Sequence, residues 1–381
     1  MKSLFVWVLL SATAVCLRSQ PAPSPSEPLR AKNIILLLAD AGGIPTLNAA
    51  SILAYNAPQK LFVQSWEHIG LSDTAPTSKW VTDSAAGMTA IVTGHKTFNG
   101  VISQAPDGKR GQTDGTKLKT ILEYAEEKGL STGVMTNVSI ADATPAACYA
   151  HQNDRGNWDD IIMQVFSPRF GDGVDVLFGL GRKRIWDLAS KSGRDLDATA
   201  KTAGRTILTK LEDVPAGAKR AIAILESDFD HRAAARMAIQ MLSKNPKGYF
   251  LMIESDAHTD NPEAGLNRLI AFDKLIREIS EIVDLKETLL VFTADHSFDF
   301  RIHGGGPEQP LLAGIEDWKA QPDDVRKQGL RLSSVRMNNS HTGEEVLVAA
   351  KGPGAQSVHG FMPNTQIFHV MMSALGWSES K

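Results

Sequence analysis

Three unbroken apolar runs organise the chain, and each runs into a carboxylate. Asn33-Ile34-Ile35-Leu36-Leu37-Leu38-Ala39 ends on Asp40, Tyr249-Phe250-Leu251-Met252-Ile253 ends on Glu254, and Thr288-Leu289-Leu290-Val291-Phe292-Thr293-Ala294 ends on Asp295-His296. Runs of this length without alternation suit strands buried on both faces of a parallel sheet. A further strand is predicted over 345–350. Helical spacing predicts helices over 116–128, with Leu118, Ile121, Leu122 and Ala125 on one stripe before Gly129, and over 263–285, with Leu266, Leu269, Ile270, Leu275, Ile276, Ile279 and Ile282. Alternating strands and helices predict an α/β fold, doubly wound, with a mostly parallel central sheet and helices on both faces. In such sheets ligands collect at the carboxyl ends of strands, so three strands ending on acids suggest one shared acidic site. The plainer alternative is that each acid is only the first solvated residue after its strand. The stretch 159–247 is the least readable, with a Gly-rich stop at Gly179-Leu180-Gly181. Gly304-Gly305-Gly306-Pro307 and the polar stretch 316–336 read as surface excursions.

The N-terminus departs from this pattern. Residues 1–20 read as a signal peptide: Lys2 supplies the positive start, 4–17 is almost wholly apolar, and Ala12-Thr13-Ala14 is a small-x-small cleavage candidate. An uncleaved anchor is the alternative. Residues 21–30, beginning Pro21-Ala22-Pro23-Ser24-Pro25-Ser26, form an unstructured lead-in, and 31–378 a single catalytic domain. The expected location is the periplasm or the extracellular space, with tethering to a membrane possible. No later apolar run approaches ~18 residues, so no stable span remains after cleavage. Hydrophobic residues make up 43% and charged residues 22% of the 381 positions, which excludes a disordered or multi-span chain. A net charge of −3 gives no bulk electrostatic reason to hold nucleic acid. Two cysteines, Cys16 and Cys148, exclude a disulfide-built scaffold.

Candidate chemistry begins at Ser84, within Thr82-Asp83-Ser84-Ala85-Ala86-Gly87-Met88. The small residues that follow permit a closely packed helix, placing Ser84 where free N–H groups favour an anion. Read alone, an Asp or Ser there is an ordinary helix cap. No His is near in sequence and no G-x-S-x-G elbow exists, so a metal would have to activate this serine. Ligand types for one are available: Asp40; Asp295 and His296; Glu254, Asp256, His258 and Asp260; and His341 in Asn339-Ser340-His341-Thr342-Gly343. Mixed His and carboxylate suits zinc, and all-oxygen sets suit magnesium. Asp142-Ala143-Thr144-Pro145 alone is a turn, and Arg155 alone a surface arginine or a phosphate clamp.

Together these pieces resemble the alkaline phosphatase family. The resemblance rests on Asn33-Ile34-Ile35-Leu36…Asp40, Val81-Thr82-Asp83-Ser84-Ala85-Ala86, Thr93-Gly94-His95-Lys96-Thr97-Phe98-Asn99-Gly100, Asp142-Ala143-Thr144-Pro145-Ala146-Ala147…Ala150-His151, Thr293-Ala294-Asp295-His296 and His341-Thr342-Gly343. It implies a phosphomonoesterase that forms a phosphoserine on Ser84, with two zinc ions and one magnesium. One zinc would take Asp40, Ser84, Asp295 and His296. The second would take His341 and residues of the cluster 254–258. Asp142, Thr144 and Glu254, with Asp40 shared, would hold magnesium, and Arg155 would grip phosphate.

The family pattern of Glu, loop, then Asp-x-x-x-His is contracted here to Glu254-Ser255-Asp256-Ala257-His258. Either Glu254 keeps the magnesium role while Asp256 and His258 bind zinc, or Glu254 and His258 themselves form the zinc pair. The first is preferred, because Phe250-Leu251-Met252-Ile253-Glu254 fits the family's strand-then-Glu wording. The expected partners are small phosphate monoesters, and a homodimer is possible. A phosphodiesterase of the same superfamily and a non-catalytic metal- or phosphate-binding protein are the competing readings.

Overall fold

The computed structural model describes residues 30–379, so the signal peptide and nearly all of the lead-in lie outside the described residues. Ten strands form one sheet. In chain order they are β1 (Asn33–Asp40), β2 (His68–Ser72), β3 (Ser131–Ser139), β4 (Val176–Leu180), β5 (Ile207–Leu208), β6 (Ala221–Leu225), β7 (Tyr249–Asp256), β8 (Thr288–Thr293), β9 (Val346–Lys351) and β10 (Gly360–Met362). Their order across the sheet is β10-β2-β9-β8-β1-β7-β3-β4-β6-β5. The three acid-terminated runs are adjacent central strands. β1 lies between β7 and β8, parallel to both, with Asp40 opposite Asp256 in register. β9 is the exception, running antiparallel to β8 and to β2.

Ten of the helices are used below: α1 (Ile44–Tyr55), α2 (Ser84–Thr93), α3 (Ile121–Lys128), α4 (Ala143–Tyr149), α5 (Trp158–Met163), α6 (Arg182–Lys191), α7 (Leu196–Thr202), α8 (His231–Leu242), α9 (Pro262–Ile282) and α10 (Gln366–Ala374). Side chains alternate across a strand, so β1 feeds two cores. Ile34, Leu36 and Leu38 face Met88 of α2, Ile121 of α3, Ala146 of α4 and Phe368 of α10. Ile35, Leu37 and Ala39 face Leu47 of α1, Ala238 of α8 and Leu266 and Leu269 of α9. The expected double-wound arrangement follows from this two-sided burial, and the carboxyl ends of all the strands but β9 share one edge.

Five expectations change in detail. The helix expected over 116–128 begins at Ile121, because Thr120 caps it: its hydroxyl accepts from Glu123 N–H while the Glu123 carboxylate accepts from Thr120 N–H. Leu118 therefore lies before the helix. The helix expected over 263–285 is Pro262–Ile282, capped by Asn261. The strand expected over 345–350 is β9. The unreadable middle supplies β4, β5 and β6 with α5 to α8. Gly179 lies inside β4, and only Gly181, at φ +102°, marks a turn. The excursion at 316–336 is ordered too: Leu330–Arg331 and Val335–Met337 join Arg301–Ile302 in a three-stranded sheet, with Trp318 buried beside it.

Candidate metal and phosphate site

Asp40 closes β1 and is buried. Ala41, the residue after it, sits at φ +63°, a strained conformation for a residue with a Cβ, and it turns the chain sharply there. Ala41 N–H donates to Asp295 Oδ1 at 3.3 Å, joining the ends of β1 and β8. Ser84 is the first residue of α2, and Asp83, not Ser84, is the cap: its carboxylate accepts from Ala86 N–H. The serine hydroxyl is thereby left free of capping duty. It is buried, with Oγ 3.2 Å from His296 Nε2 and 3.4 Å from Asp40 Oδ2.

His341 arrives from far along the chain. His341–Thr342 forms a two-residue antiparallel ladder with Ser297–Phe298, the residues right after His296. That ladder stacks the His341 and His296 rings at 3.7 Å between centroids. His258 Nε2 lies 3.3 Å from His341 Nε2. Nitrogen ligands of His258, His296 and His341 converge within 4.8 Å, as do ligand atoms of Asp40, Asp295 and His296. The structure thus brings Asp40, Ser84, Asp295, His296, His258 and His341 into one continuous cluster. Asp256 lies beside it, in contact with His258, and outside both of these convergent sets. Asp260 joins neither set.

On the other side of Asp40 the donors are oxygens. Thr144 Oγ1 is 3.3 Å from Asp40 Oδ2, Asp142 caps α4, and Glu254 is buried two residues before the end of β7. Both Glu254 oxygens, Asp40 Oδ1 and Asp295 Oδ2 are buried without a hydrogen-bond partner. Each such orphan costs about 1–3 kcal/mol. Burial, then the charge of Asp40, pushes Glu254 well above the usual carboxylate range and Asp295 up to about 7. Burial works against a charged Asp40, but His258 and His296 overcome it and lower its pKa. Burial opposes protonation of His258 also, yet Asp40 and Asp256 raise it to about 9. His341 goes the other way, down to about 4, through burial and the charge of His296. So many acids held against one another, with oxygens unpartnered, call for cations.

The spacing fits that demand. Ligands ~2.0–2.1 Å from a tetrahedral centre stand ~3.3 Å apart. Ser84 Oγ stands 3.2 Å from His296 Nε2 and 3.4 Å from Asp40 Oδ2, His296 Nε2 stands 3.3 Å from Asp40 Oδ1, and His258 to His341 measures 3.3 Å. Mixed nitrogen and oxygen donors there suit zinc, and the all-oxygen set around Glu254 suits magnesium.

Arg155, in a loop, reaches the capping carboxylates of α2 and α4. Its Nη1 is 3.3 Å from Asp83 Oδ2 and its Nη2 2.8 Å from Asp142 Oδ1. Burial would weaken this cation, but Asp142 and Asp83 raise its pKa above the ordinary value. Two residues of this framework escaped the reading of the sequence. Asp83 looked like a cap, and it also orients Arg155. Arg268, on α9, reaches Asp256 Oδ2 at 2.8 Å. No local signal marks Arg268, since it is one charged position on an amphipathic helix.

Comparison with known proteins follows the same outline. The family model described as Alkaline phosphatase matches residues 31–220, 232–335 and 331–377. The tissue-nonspecific alkaline phosphatase isozyme of Rattus norvegicus is 27% identical, over 90% of this chain and 83% of its own length. Streptomycin-6-phosphate phosphatase of Streptomyces griseus is 27% identical, over 97% of this chain and 96% of its own. A solved variant of the TAB5 alkaline phosphatase, with magnesium bound in its M3 site, superposes with a TM-score of 0.72 at 26% identity, covering 93% of this chain and 100% of that one.

Proposed function

This chain belongs to the alkaline phosphatase family of metal-dependent enzymes, and on that premise we propose that it hydrolyses small phosphate monoesters through a phosphoserine on Ser84. The observation that carries the reading is the placement of Ser84 Oγ: first in α2, buried, uncapped, and within 3.4 Å of both His296 and Asp40.

Asp40, Ser84, Asp295 and His296 are the residues that would hold one zinc, and His258 and His341 the second. Asp40, Asp142, Thr144 and Glu254 would hold magnesium. Zinc supplies positive charge for a developing oxyanion and lowers the pKa of a bound hydroxyl or water to ~7. The protein's own contribution is placement. Arg155 is held as a preformed fork by two carboxylates, so gripping two phosphate oxygens costs it little ordering. The free N–H groups at the start of α2 add partial positive charge behind the phosphorus. Ser84 Oγ bonds to phosphorus as the ester P–O bond breaks and the alcohol leaves. Water then attacks the same phosphorus from the vacated side, the serine oxygen leaves, and inorganic phosphate is released. Catalysis by positioning and charge neutralisation is what phosphoryl transfer requires.

The relative that acts on a 6-phosphate monoester supports monoesters over diesters as substrates. The apolar, Lys2-led N-terminus supports export. Among the described residues, no helix is long and apolar enough to cross a membrane. The test is hydrolysis of an aryl phosphate monoester and of the matching diester, with zinc and magnesium, with chelator, and with Ser84→Ala. Metal-dependent monoester turnover that falls more than ~10³-fold in Ser84→Ala supports the reading. Turnover indifferent to Ser84, or faster on the diester, overturns it.

A further inference from the structure

Three imidazoles converge on the site, and each is gripped at Nδ1. His296 Nδ1 lies 3.1 Å from the Ser297 carbonyl, and His341 Nδ1 lies 3.0 Å from the Thr82 carbonyl. A carbonyl can only accept, so in both rings Nδ1 carries a hydrogen and Nε2 is the nitrogen turned to the site. His258 Nδ1 lies 2.8 Å from Asp256 Oδ1. A carboxylate takes the place of the carbonyl, and the outcome is the same: Nε2 is freed and stands 3.3 Å from His341 Nε2.

Asp256 is fully engaged in this task. Oδ1 also accepts the His258 backbone N–H at 3.0 Å, and Oδ2 receives Arg268 Nη2 at 2.8 Å. Arg268 additionally donates from Nε to the Asp256 carbonyl at 2.7 Å and from Nη2 to the His258 carbonyl at 3.3 Å. Asp256 N–H donates to Asn137 Oδ1 at 2.8 Å. The turn 256–258 is thus clamped by β3 on one side and α9 on the other. The helix approaches so closely that a Cβ on Gly265 would lie 2.1 Å from the His258 carbonyl oxygen.

We propose that Asp256 is a positioning residue that orients His258 from outside the metal cluster, with Arg268 fixing its second oxygen, rather than a metal ligand itself. The spacing of Asp256-Ala257-His258 explains why. With one residue between them, Oδ1 of the carboxylate closes back onto its neighbour's ring and backbone, while Oδ2 is taken by Arg268. This inference rests on the metal reading above. Outer carboxylates of this kind tune a metal site by 10- to 100-fold in affinity without changing the number of ions bound.

The test uses the full chain, with zinc alone as the probe. Zinc stoichiometry at saturation and affinity by chelator competition are measured for wild type, Asp256→Asn, Asp256→Ala, Arg268→Ala and His341→Ala. Absorption spectra of the cobalt-substituted proteins report the ligand set independently of activity. Both Asp256 variants are expected to keep the wild-type number of ions, with one bound ~10- to 100-fold more weakly and the cobalt bands unchanged in shape. Arg268→Ala should weaken the same ion at unchanged stoichiometry, whereas His341→Ala should lose one equivalent. Loss of a full equivalent in Asp256→Ala, or altered cobalt bands at full loading, makes Asp256 a ligand and overturns the proposal. If wild type binds no zinc, or His341→Ala changes nothing, the metal reading falls and the proposal falls with it. Asp256→Asn keeps shape and volume, so it separates these outcomes should Asp256→Ala fail to fold.

Discussion

Replacing Gly87 with alanine tests whether catalysis depends on how closely α2 approaches the end of β8. Gly87 lies one turn after Ser84, on the same helix. A Cβ there would stand 2.5 Å from the Asp295 carbonyl oxygen and 3.2 Å from the Asp295 Cβ. Real Cβ contacts stay beyond 3.0 Å, so the helix must retreat by about 0.5–0.9 Å to restore ordinary contact. Asp295 cannot yield instead, because its backbone continues β8 into buried His296 and its carboxylate is tied to Ala41 N–H. Ser84 moves with the helix, away from a histidine nitrogen 3.2 Å distant. Misplacing a reacting group by ~1 Å costs ~10²-fold, so kcat/KM for an aryl phosphate should fall ~10- to 100-fold at saturating zinc. Stability has two opposing terms. Alanine favours the helix over glycine by ~1 kcal/mol, while overpacking costs ~1–3 kcal/mol, so a net loss of ~0–2 kcal/mol is expected in denaturant unfolding. A Gly87→Ala enzyme with wild-type kcat/KM and ~1 kcal/mol of added stability would refute the close-packing argument.

Three further outcomes follow from the geometry. Chelation should lower the melting temperature: one ion at 1,000 times its dissociation constant contributes ~4 kcal/mol, which for a folded unit of ~350 residues is about 6 °C per site, and a melting curve indifferent to chelator contradicts the orphaned-oxygen argument. Arg155→Ala should cut kcat/KM ~10²-fold or more by removing charge-assisted bonds to phosphate, each worth ~1.5–3 kcal/mol, and a change in stability alone would deny the clamp. Far from the site, burial pushes Glu126 up to about 7, against its hydrogen bond from Thr132 and with help from Asp175. The folded state then binds this proton more tightly than the unfolded chain does. Its contribution is present below the unfolded value of 4.5 and is lost as pH rises to about 7, by at most about 3 kcal/mol. Glu126→Gln should flatten that slope in chelator-treated protein, and an unchanged slope assigns it to other groups.

The sequence alone determined the elements whose signal is local. An apolar run ending on an acid needs no partner to be recognised, and β1, β7 and β8 were legible for that reason, as was the helix start at Ser84. The α9 stripe was legible because its period repeats over 21 residues. The middle strands were not: β5 has two residues and β4 contains Gly179, too little for a pattern to stand out. The start of α3 was misplaced because Leu118 happened to fit a helical spacing that the Thr120 cap cuts short.

The site divides in the same way. Candidate residues could be picked out as strand-end acids and loop histidines, and family wording implied their roles. Only tertiary structure decided which of them meet. A two-residue ladder between 341–342 and 297–298 carries His341 onto His296, and pairing between two such short segments with a whole excursion between them leaves no mark in local composition. The engagement of Asp256 by His258 and Arg268, and of Arg155 by Asp83 and Asp142, likewise depends on side-chain directions set by packing. Sequence records which chemistry is available; distances of a few ångströms between remote elements, fixed by the close packing of the two cores, determine which of it can act together.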